Sequence, residues 1–273
     1  MVVSFLFLRE RIMAKRFDKH ILKNGMVIIG EPMKAVGSAA FDFMMPCGAA
    51  IFPQGCCGAG SVIEDWIFRG AGNRNSRQLC DTMDGLGLHR STSVGSAHLS
   101  AGAVLESSNL EQALELYADV ILRPSLQEEQ FELARQLAID EVKALDDDPR
   151  QKVMLKLREQ FYPSPLGRNV VGEIEELKSL TAEKTTQIIK ENFNLSQTIF
   201  AMAGKYDFDA LCRQMEKLFE ANTRESMQPI KIGAGGKKYT HIHNDGAQVH
   251  IALMTETVKP TDKDYYNARL AVS

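Results

Sequence analysis

The sequence predicts an α+β fold in which helices cover a mainly antiparallel sheet. Two observations lead to this class. Short apolar segments joined by turn residues dominate the first 105 residues, and longer segments with helical spacing of apolar residues dominate the part after them. The content of 44% hydrophobic and 25% charged residues is ordinary for a globular protein. It excludes disordered, collagen-like and coiled-coil chains.

The predicted strands are short apolar runs bounded by Gly, Pro or Asn. The tripeptide at residues 23–25, Lys-Asn-Gly, supplies the turn of the first hairpin, because Asn-Gly tolerates positive φ. Gly95 marks the turn between a second pair of strands. The predicted strands lie within residues 20–33, as two strands around a turn, and at 38–46, 88–93, 98–105 and 198–203.

The predicted helices have apolar residues at helical spacing and recognisable end signals. Ser76 is the predicted N-cap of the second helix, and Gly85 lies just past its end. Pro124 ends the third helix. The predicted helices cover residues 60–68, 76–84, 109–122, 127–145, 149 to about 161, 181–193 and 207–219.

Composition changes predict the domain boundaries. Residues 1–16 are a predicted tail, because their apolar run precedes its charges, unlike a secretory signal, and Met13 is a second possible start. Residues 17–226 form the predicted first domain. Residues 227–238, rich in Gly, are the predicted linker. Residues 239–273 are the predicted, truncated start of a second domain.

That last segment has two expected elements. A hairpin is predicted from residues 239–243 and 248–254, with Asn-Asp-Gly between them. Thr261 is the predicted cap of a helix that the end of the sequence cuts short. A short hairpin and half a helix do not make an independent domain.

Charge and cysteine content exclude several function classes. The 32 basic and 35 acidic residues leave a net charge of −3, so no basic footprint for nucleic acid is present. No apolar run reaches the length of a membrane span, so we expect no membrane partner. The five cysteines form no C-x-x-C pair, and their odd number argues against a disulfide framework. A reducing compartment, and hence a cytoplasmic location, is the expectation.

The most informative stretch is residues 58–72, GAGSVIEDWIFRGAG. It resembles the signature of the pitrilysin/insulinase family of zinc peptidases. In that family a helix carries H-x-x-E-H, whose histidines bind zinc and whose Glu activates the zinc-bound water. The matching positions here are Ser61, Glu64 and Asp65. Both imidazoles are therefore replaced, while Glu64 keeps the position of the base.

Further blocks resemble the same family in the same order, from about residue 17 to the end of the chain. The resemblance implies the fold of the mitochondrial processing peptidases, an antiparallel-rich sheet covered by helices, with a peptidase-like domain at 17–226 and a second like domain after it. The supporting blocks are residues 22–26, 47–49, 85–92, 135–141, 147–149, 165–168, 172–173, 177–181, 248–253 and 264–266.

The resemblance also assigns the remaining site positions. The third zinc ligand of the family falls on Glu141 and is kept, so one of three ligands survives. A further acid of the same helix falls on Ala134 and is lost. The substrate-facing Asn-Ala pair of the family is replaced by His89 and Arg90. We therefore expect no zinc cofactor in this chain.

Two interpretations of Glu141 remain open from the residues alone. Its neighbours at helical spacing are largely apolar, which indicates either a Glu at a helix edge that reaches water or a partly buried carboxylate. A buried carboxylate would need a cation, because an unpaired buried charge is costly. Arg69 and Arg90 are the candidate partners.

Weaker signals have ordinary interpretations beside functional ones. His241, His243 and His250 lie on the predicted hairpin and could bind metal, but half-exposed strand positions are the commoner case. Cys56 and Cys57 could be redox-active, although an adjacent pair in a Gly-flanked loop is more often inert.

The leading hypothesis is a non-catalytic homologue of the family. Its expected partner is an active paralogue, in a heterodimer, or a second copy of itself, and it would hold peptide in such an assembly. One alternative is an active metallopeptidase with a divergent site at Asp65, Glu141 and a distant His. The other is a scaffold subunit with no peptide role.

Overall fold

The computed structural model describes residues 17–220, 230, 233, 239–243 and 248–272. Within that part, a six-stranded mixed sheet carries helices on one face, which confirms the α+β class. The sheet strands are β1 (Asp18–Ile21), β2 (Val27–Pro32), β3 (Ser38–Met45), β6 (His89–Val94), β7 (Leu99–Glu106) and β8 (Ile199–Gly204). Two further strands, β4 (Gly70–Ala71) and β5 (Arg74–Asn75), form a separate small hairpin.

The described helices agree with the predicted ones within a few residues, apart from one short helix that the sequence did not predict. They are α1 (Ala59–Trp66), α2 (Ser76–Gly85), α3 (Leu110–Leu122), α4 (Glu128–Ala144), α5 (Pro149–Phe161), α6 (Ile174–Ser179), α7 (Ala182–Asn192), α8 (Phe208–Leu218) and α9 (Tyr265–Ala271). The unpredicted helix is α6. None of the described helices is both long enough and apolar enough to cross a membrane.

The strand order is β1-β2-β8-β3-β7-β6. All pairings in this sheet are antiparallel except that of β2 with β8, which is parallel. Strand β8 therefore lies between β2 and β3 although it comes last of these strands in the chain. Strand β6 forms one edge of the sheet, beside the loop that leads into α1.

Alternation along the strands places the core between the sheet and the helices. Phe41 and Phe43 of β3 are buried against Phe200 of β8, with ring centroids 6.0 and 4.7 Å apart. Tyr117 of α3 packs on both β3 rings, and its hydroxyl donates to the Gly102 carbonyl at 2.7 Å. On the opposite face the side chains are more open, as expected for a sheet covered on one side.

The N-cap of α2 differs from the prediction by one residue. Asn75, and not Ser76, caps the helix: its side chain accepts from the Gln78 N–H at 2.9 Å, and the Gln78 side chain accepts from the Asn75 N–H at 3.0 Å. This reciprocal capping box satisfies two backbone donors at once, whereas Ser76 would lack a Glu or Gln three residues later.

The predicted hairpin after residue 238 is not formed in the described part of the chain. Residues 239–243 and 248–254 carry no strand, and the predicted turn at 244–247 lies outside the described residues. The alternating apolar side chains of Val249, Ile251 and Leu253 are 82–92% exposed. No strand among the described residues packs against them. The last helix begins at Tyr265 after Asp264, and not after Thr261 as predicted.

The predicted domain boundaries stay predictions. The tail at 1–16 lies outside the described residues, and so does nearly all of the linker at 227–238, of which residues 230 and 233 are described.

Candidate functional site

Helix α1 is positioned by close backbone packing at its start. A Cβ on Gly172, whose φ is +76°, would lie 2.4 Å from the Gly58 Cα, and a Cβ on Gly60 would lie 2.4 Å from Val94 Cγ1. Glycine at these points lets the helix lie directly against the end of β6. Residues Val62, Ile63 and Trp66 are buried, which leaves Ser61, Glu64 and Asp65 on the half-buried side.

Helix α4 lies along α1 and is fixed mainly by Trp66. The indole is 1% exposed, its ring lies 5.0 Å from that of Phe131, and its Nε1–H donates to the Gln127 carbonyl at 3.0 Å. At the other end of the helix pair, Glu64 of α1 and Glu141 of α4 interact electrostatically.

Glu64 has a strongly perturbed carboxyl group. Burial raises its pKa to about 7, and the negative charges of Glu141 and Asp65 act in the same direction. A hydrogen bond from the Val94 backbone acts the other way and lowers the pKa. The structure thus brings three of the predicted site residues, Glu64, Asp65 and Glu141, into one neighbourhood.

The predicted cations do not pair with Glu141. Arg69 forms an ion pair with Asp65 four residues earlier on the chain. Arg90 reaches over α2, where it contacts Cys80 Sγ at 3.5 Å and Asp84 Oδ1 at 3.9 Å. Glu141 itself is exposed, which agrees with the helix-edge interpretation and not with the buried one. An exposed carboxylate is solvated by water and needs no partner.

The substrate-strand positions, His89 and Arg90, lie at the start of the edge strand β6. His89 is paired with the exposed Val104 of β7, and Arg90 with the buried Ala103. Their side chains therefore project from opposite faces of the sheet, Arg90 toward the helices. The two side chains therefore do not lie side by side on one face of the sheet.

Within the part of the chain that the structure describes, no strand pairs with the outer edge of β6. The Gly95 N–H donates to His98 at 2.8 Å, inside the hairpin with β7. Backbone direction alternates along a strand, so the N–H groups of Arg90 and Thr92 face away from β7. At Val94 the same alternation directs the N–H toward Glu64, in agreement with the hydrogen bond noted above.

The side chains at the three predicted ligand positions do not form the donor set of a catalytic zinc ion. Such a site takes three N, S or carboxylate ligands from the protein and a water molecule. Here Ser61 offers a hydroxyl, Asp65 is bound to Arg69, and Glu141 is an exposed carboxylate. Among the described residues, no group of three His, Cys, Asp or Glu side chains could hold a metal ion, and this includes the histidines at 241, 243 and 250.

The cysteine pair has the features of a structural loop. Cys56 is buried, and the Cys57 N–H donates to the Glu176 carboxylate of α6 at 3.2 Å. Burial, with the nearby charge of Glu176, raises the pKa of the Cys57 thiol, which disfavours the reactive thiolate.

Glu64→Gln is expected to remove part of the pH dependence of stability. The pKa of Glu64 is raised from 4.5 to about 7 in the folded chain, so the folded state binds this proton more tightly than the unfolded state does. The resulting stabilisation is fully present below pH 4.5 and is lost as the pH rises through 7. The neutral amide avoids this loss, so the variant should gain Tm relative to the parent above pH 7. Thermal melts across this range measure it, with exposed Glu115→Gln as the control. Parallel Tm profiles for the parent and Glu64→Gln would contradict the prediction.

Comparisons with known proteins identify the family and the fold. The sequence model of the insulinase family, peptidase family M16, matches residues 38–173. An uncharacterized zinc protease of Rickettsia felis is 26% identical over 245 residues, covering 88% of this chain and 59% of the relative. A probable mitochondrial-processing peptidase subunit beta of Arabidopsis thaliana is 23% identical, covering 89% of this chain and 47% of the relative.

Solved structures show the same fold. A protease from Helicobacter pylori superposes with a TM-score of 0.73 at 17% identity, covering 81% of this chain and 54% of the other. A structure described as a peptidase M16 inactive domain from Pseudomonas fluorescens also gives 0.73, at 12% identity and with the same coverage. These proteins define a class of peptidase-fold domains. The chain belongs to the insulinase family, peptidase family M16, and spans roughly half the length of the relatives it matches.

Proposed function

We propose that this chain is a non-catalytic member of the family that binds peptide as the partner of an active paralogue. The main support for this proposal is the chemistry of α1. Where the family motif has two histidines, this chain has the hydroxyl of Ser61 and the ion-paired carboxylate of Asp65. Glu64 keeps the place of the general base, but a base without a metal-bound water has no activated nucleophile to generate.

The edge strand supports the peptide-binding part of the proposal. The N–H groups of Arg90 and Thr92 face away from β7, so an extended peptide could add to β6 as a further strand. The main-chain hydrogen bonds of such an added strand do not depend on a metal ion. Peptide binding can therefore persist after the loss of zinc.

Related proteins support the paired architecture. One relative is described as a subunit beta, and one structural neighbour as the first half of the periplasmic protease PqqL from Escherichia coli. We propose a heterodimer with a family member that carries an intact H-x-x-E-H motif, located in the cytoplasm, where the five free cysteines would stay reduced.

The test combines metal analysis, co-purification and peptide binding on the 273-residue chain. We expect less than stoichiometric zinc, capture of the H-x-x-E-H paralogue and binding of short labelled peptides. Thr92→Pro, which removes an N–H at the free edge, should weaken peptide binding. Thr82→Ala, on the exposed surface of α2, is the control.

Three outcomes would replace this proposal or part of it. About one zinc per chain, lost on Glu141→Ala, would show a divergent metallopeptidase. Assembly with a paralogue but no peptide binding, or peptide binding unaffected by Thr92→Pro, would favour a scaffold role or a different peptide site.

A further inference from the structure

The ion pair between Asp65 of α1 and Arg69, which lies three residues after the end of that helix, extends to α4. Arg69 Nε donates to Asp65 Oδ2, and Arg69 Nη1 donates to Gln130 Oε1 of α4 at 3.4 Å. The Arg69 side chain is 20% exposed and that of Asp65 38%, so the pair is partly shielded from water. A guanidinium group has several donors in a fixed plane and can hold two acceptors at once.

This bridge lies between the same two helices that carry the former ligand positions. A metal ion bound by a residue of α1 and by Glu141 of α4 would join these helices by coordination. In this chain, Asp65 is instead bound to Arg69, and Arg69 joins α1 to Gln130. Asp65 Oδ2 accepts from Arg69 Nε, and this bond orients the guanidinium so that Nη1 reaches Gln130.

We propose that the Asp65–Arg69–Gln130 bridge holds α1 against α4 without a metal ion and commits Asp65 to a structural role. This inference rests on the proposed non-catalytic function, and it names the residues that keep the helix pair together without zinc. It also assigns Arg69 a role that differs from the predicted pairing with Glu141.

A double-mutant cycle on the full chain tests the bridge. Arg69→Met should lower Tm by about 2–4 °C, the shift expected for one interaction of ordinary strength in a domain of this size. In the Asp65→Asn background, and separately in the Gln130→Met background, the same substitution should cost less than half of that. The Tm of the parent chain should be unchanged by EDTA and by added zinc.

The chain contains a matched control. Arg77 and Asp81 of α2 form an Arg–Asp pair with the same four-residue spacing, but their side chains are 91% and 72% exposed and their closest atoms lie 3.8 Å apart. Arg77→Met should change Tm by less than about 1 °C and should show no coupling to Asp81→Asn.

The outcomes separate this inference from the proposed function. Additive effects of Arg69→Met with both Asp65→Asn and Gln130→Met in a chain that holds no zinc would overturn the bridge and leave the proposed function intact. A parent Tm that falls with EDTA would overturn both.

Discussion

Ser61→His combined with Asp65→His should create a zinc site with at least about 100-fold higher affinity than the parent chain. Two histidines four residues apart lie on one helix face, which is the spacing that zinc requires. The charge of Glu141 on α4 acts on Glu64, which shares the helix face of Ser61 and Asp65, so we expect Glu141 to be the third ligand. Calorimetric titration with zinc chloride measures the gain.

Two variants control this experiment. Adding Glu141→Ala to the double variant should return zinc affinity most of the way to the parent value. Arg77→His with Asp81→His and Asp84→Asn places the same pair on the exposed surface of α2 without the carboxylate one turn away, and should bind zinc only weakly. No gain in the first double variant would show that Ser61 and Asp65 do not face Glu141.

Peptidase activity of this double variant should stay close to background. The new imidazoles have no second-shell partners, and such partners typically contribute about 10–100-fold in metal affinity or activity. His89 and Arg90 would still stand at the start of β6, in place of the Asn-Ala pair that the resemblance assigns to substrate contact. Cleavage of labelled peptides at the rate of an intact paralogue would show that these two changes do not matter.

Trp66→Ala should lower the free energy of unfolding by about 3–5 kcal/mol, the usual cost of truncating a buried aromatic side chain. The indole is 1% exposed, packs on Phe131 and bonds to the Gln127 carbonyl, so its loss opens a cavity and removes a hydrogen bond between α1 and α4. Urea unfolding monitored by circular dichroism measures the change.

Trp66→Phe separates the two contributions. It retains a large ring against Phe131 but loses the Nε1–H donor, so we expect a smaller loss, roughly 1–2 kcal/mol. A loss below about 1 kcal/mol for Trp66→Ala would show that the α1–α4 contact contributes little to stability.

Most of the fold could be predicted because local signals and the tertiary structure agree. Period-two and helical patterns, with Gly and Pro at the ends, gave the sheet strands and the longer helices. Helix α6 was missed because its six residues are too short for a periodic pattern, and it is held through the buried Leu177. The hairpin predicted after residue 238 failed for the opposite reason. Its alternating pattern is clear, but a pattern alone does not supply the neighbouring strand that a sheet needs.

The assignment of the site residues stays a prediction, and the structure places two of them, Glu64 and Glu141, on neighbouring helices. The partner of Arg69 follows from a simpler signal in the sequence. Asp65 and Arg69 are four residues apart, the spacing of helical ion pairs, and this favours a local pair over one with Glu141. For Arg90, strand alternation indicates that its side chain and that of His89 lie on opposite faces.

The position of β8 has a consequence for how the chain acquires its structure during synthesis. This strand joins β2 to β3, yet residues 46–198 separate it from β3 along the chain. Until Ile199–Gly204 leaves the ribosome, the first hairpin and the three-stranded unit β3-β7-β6 each expose a strand edge, and such edges are templates for wrong pairing. Closing so long a loop is slow, so the nascent domain depends on protection from aggregation until its eighth strand arrives.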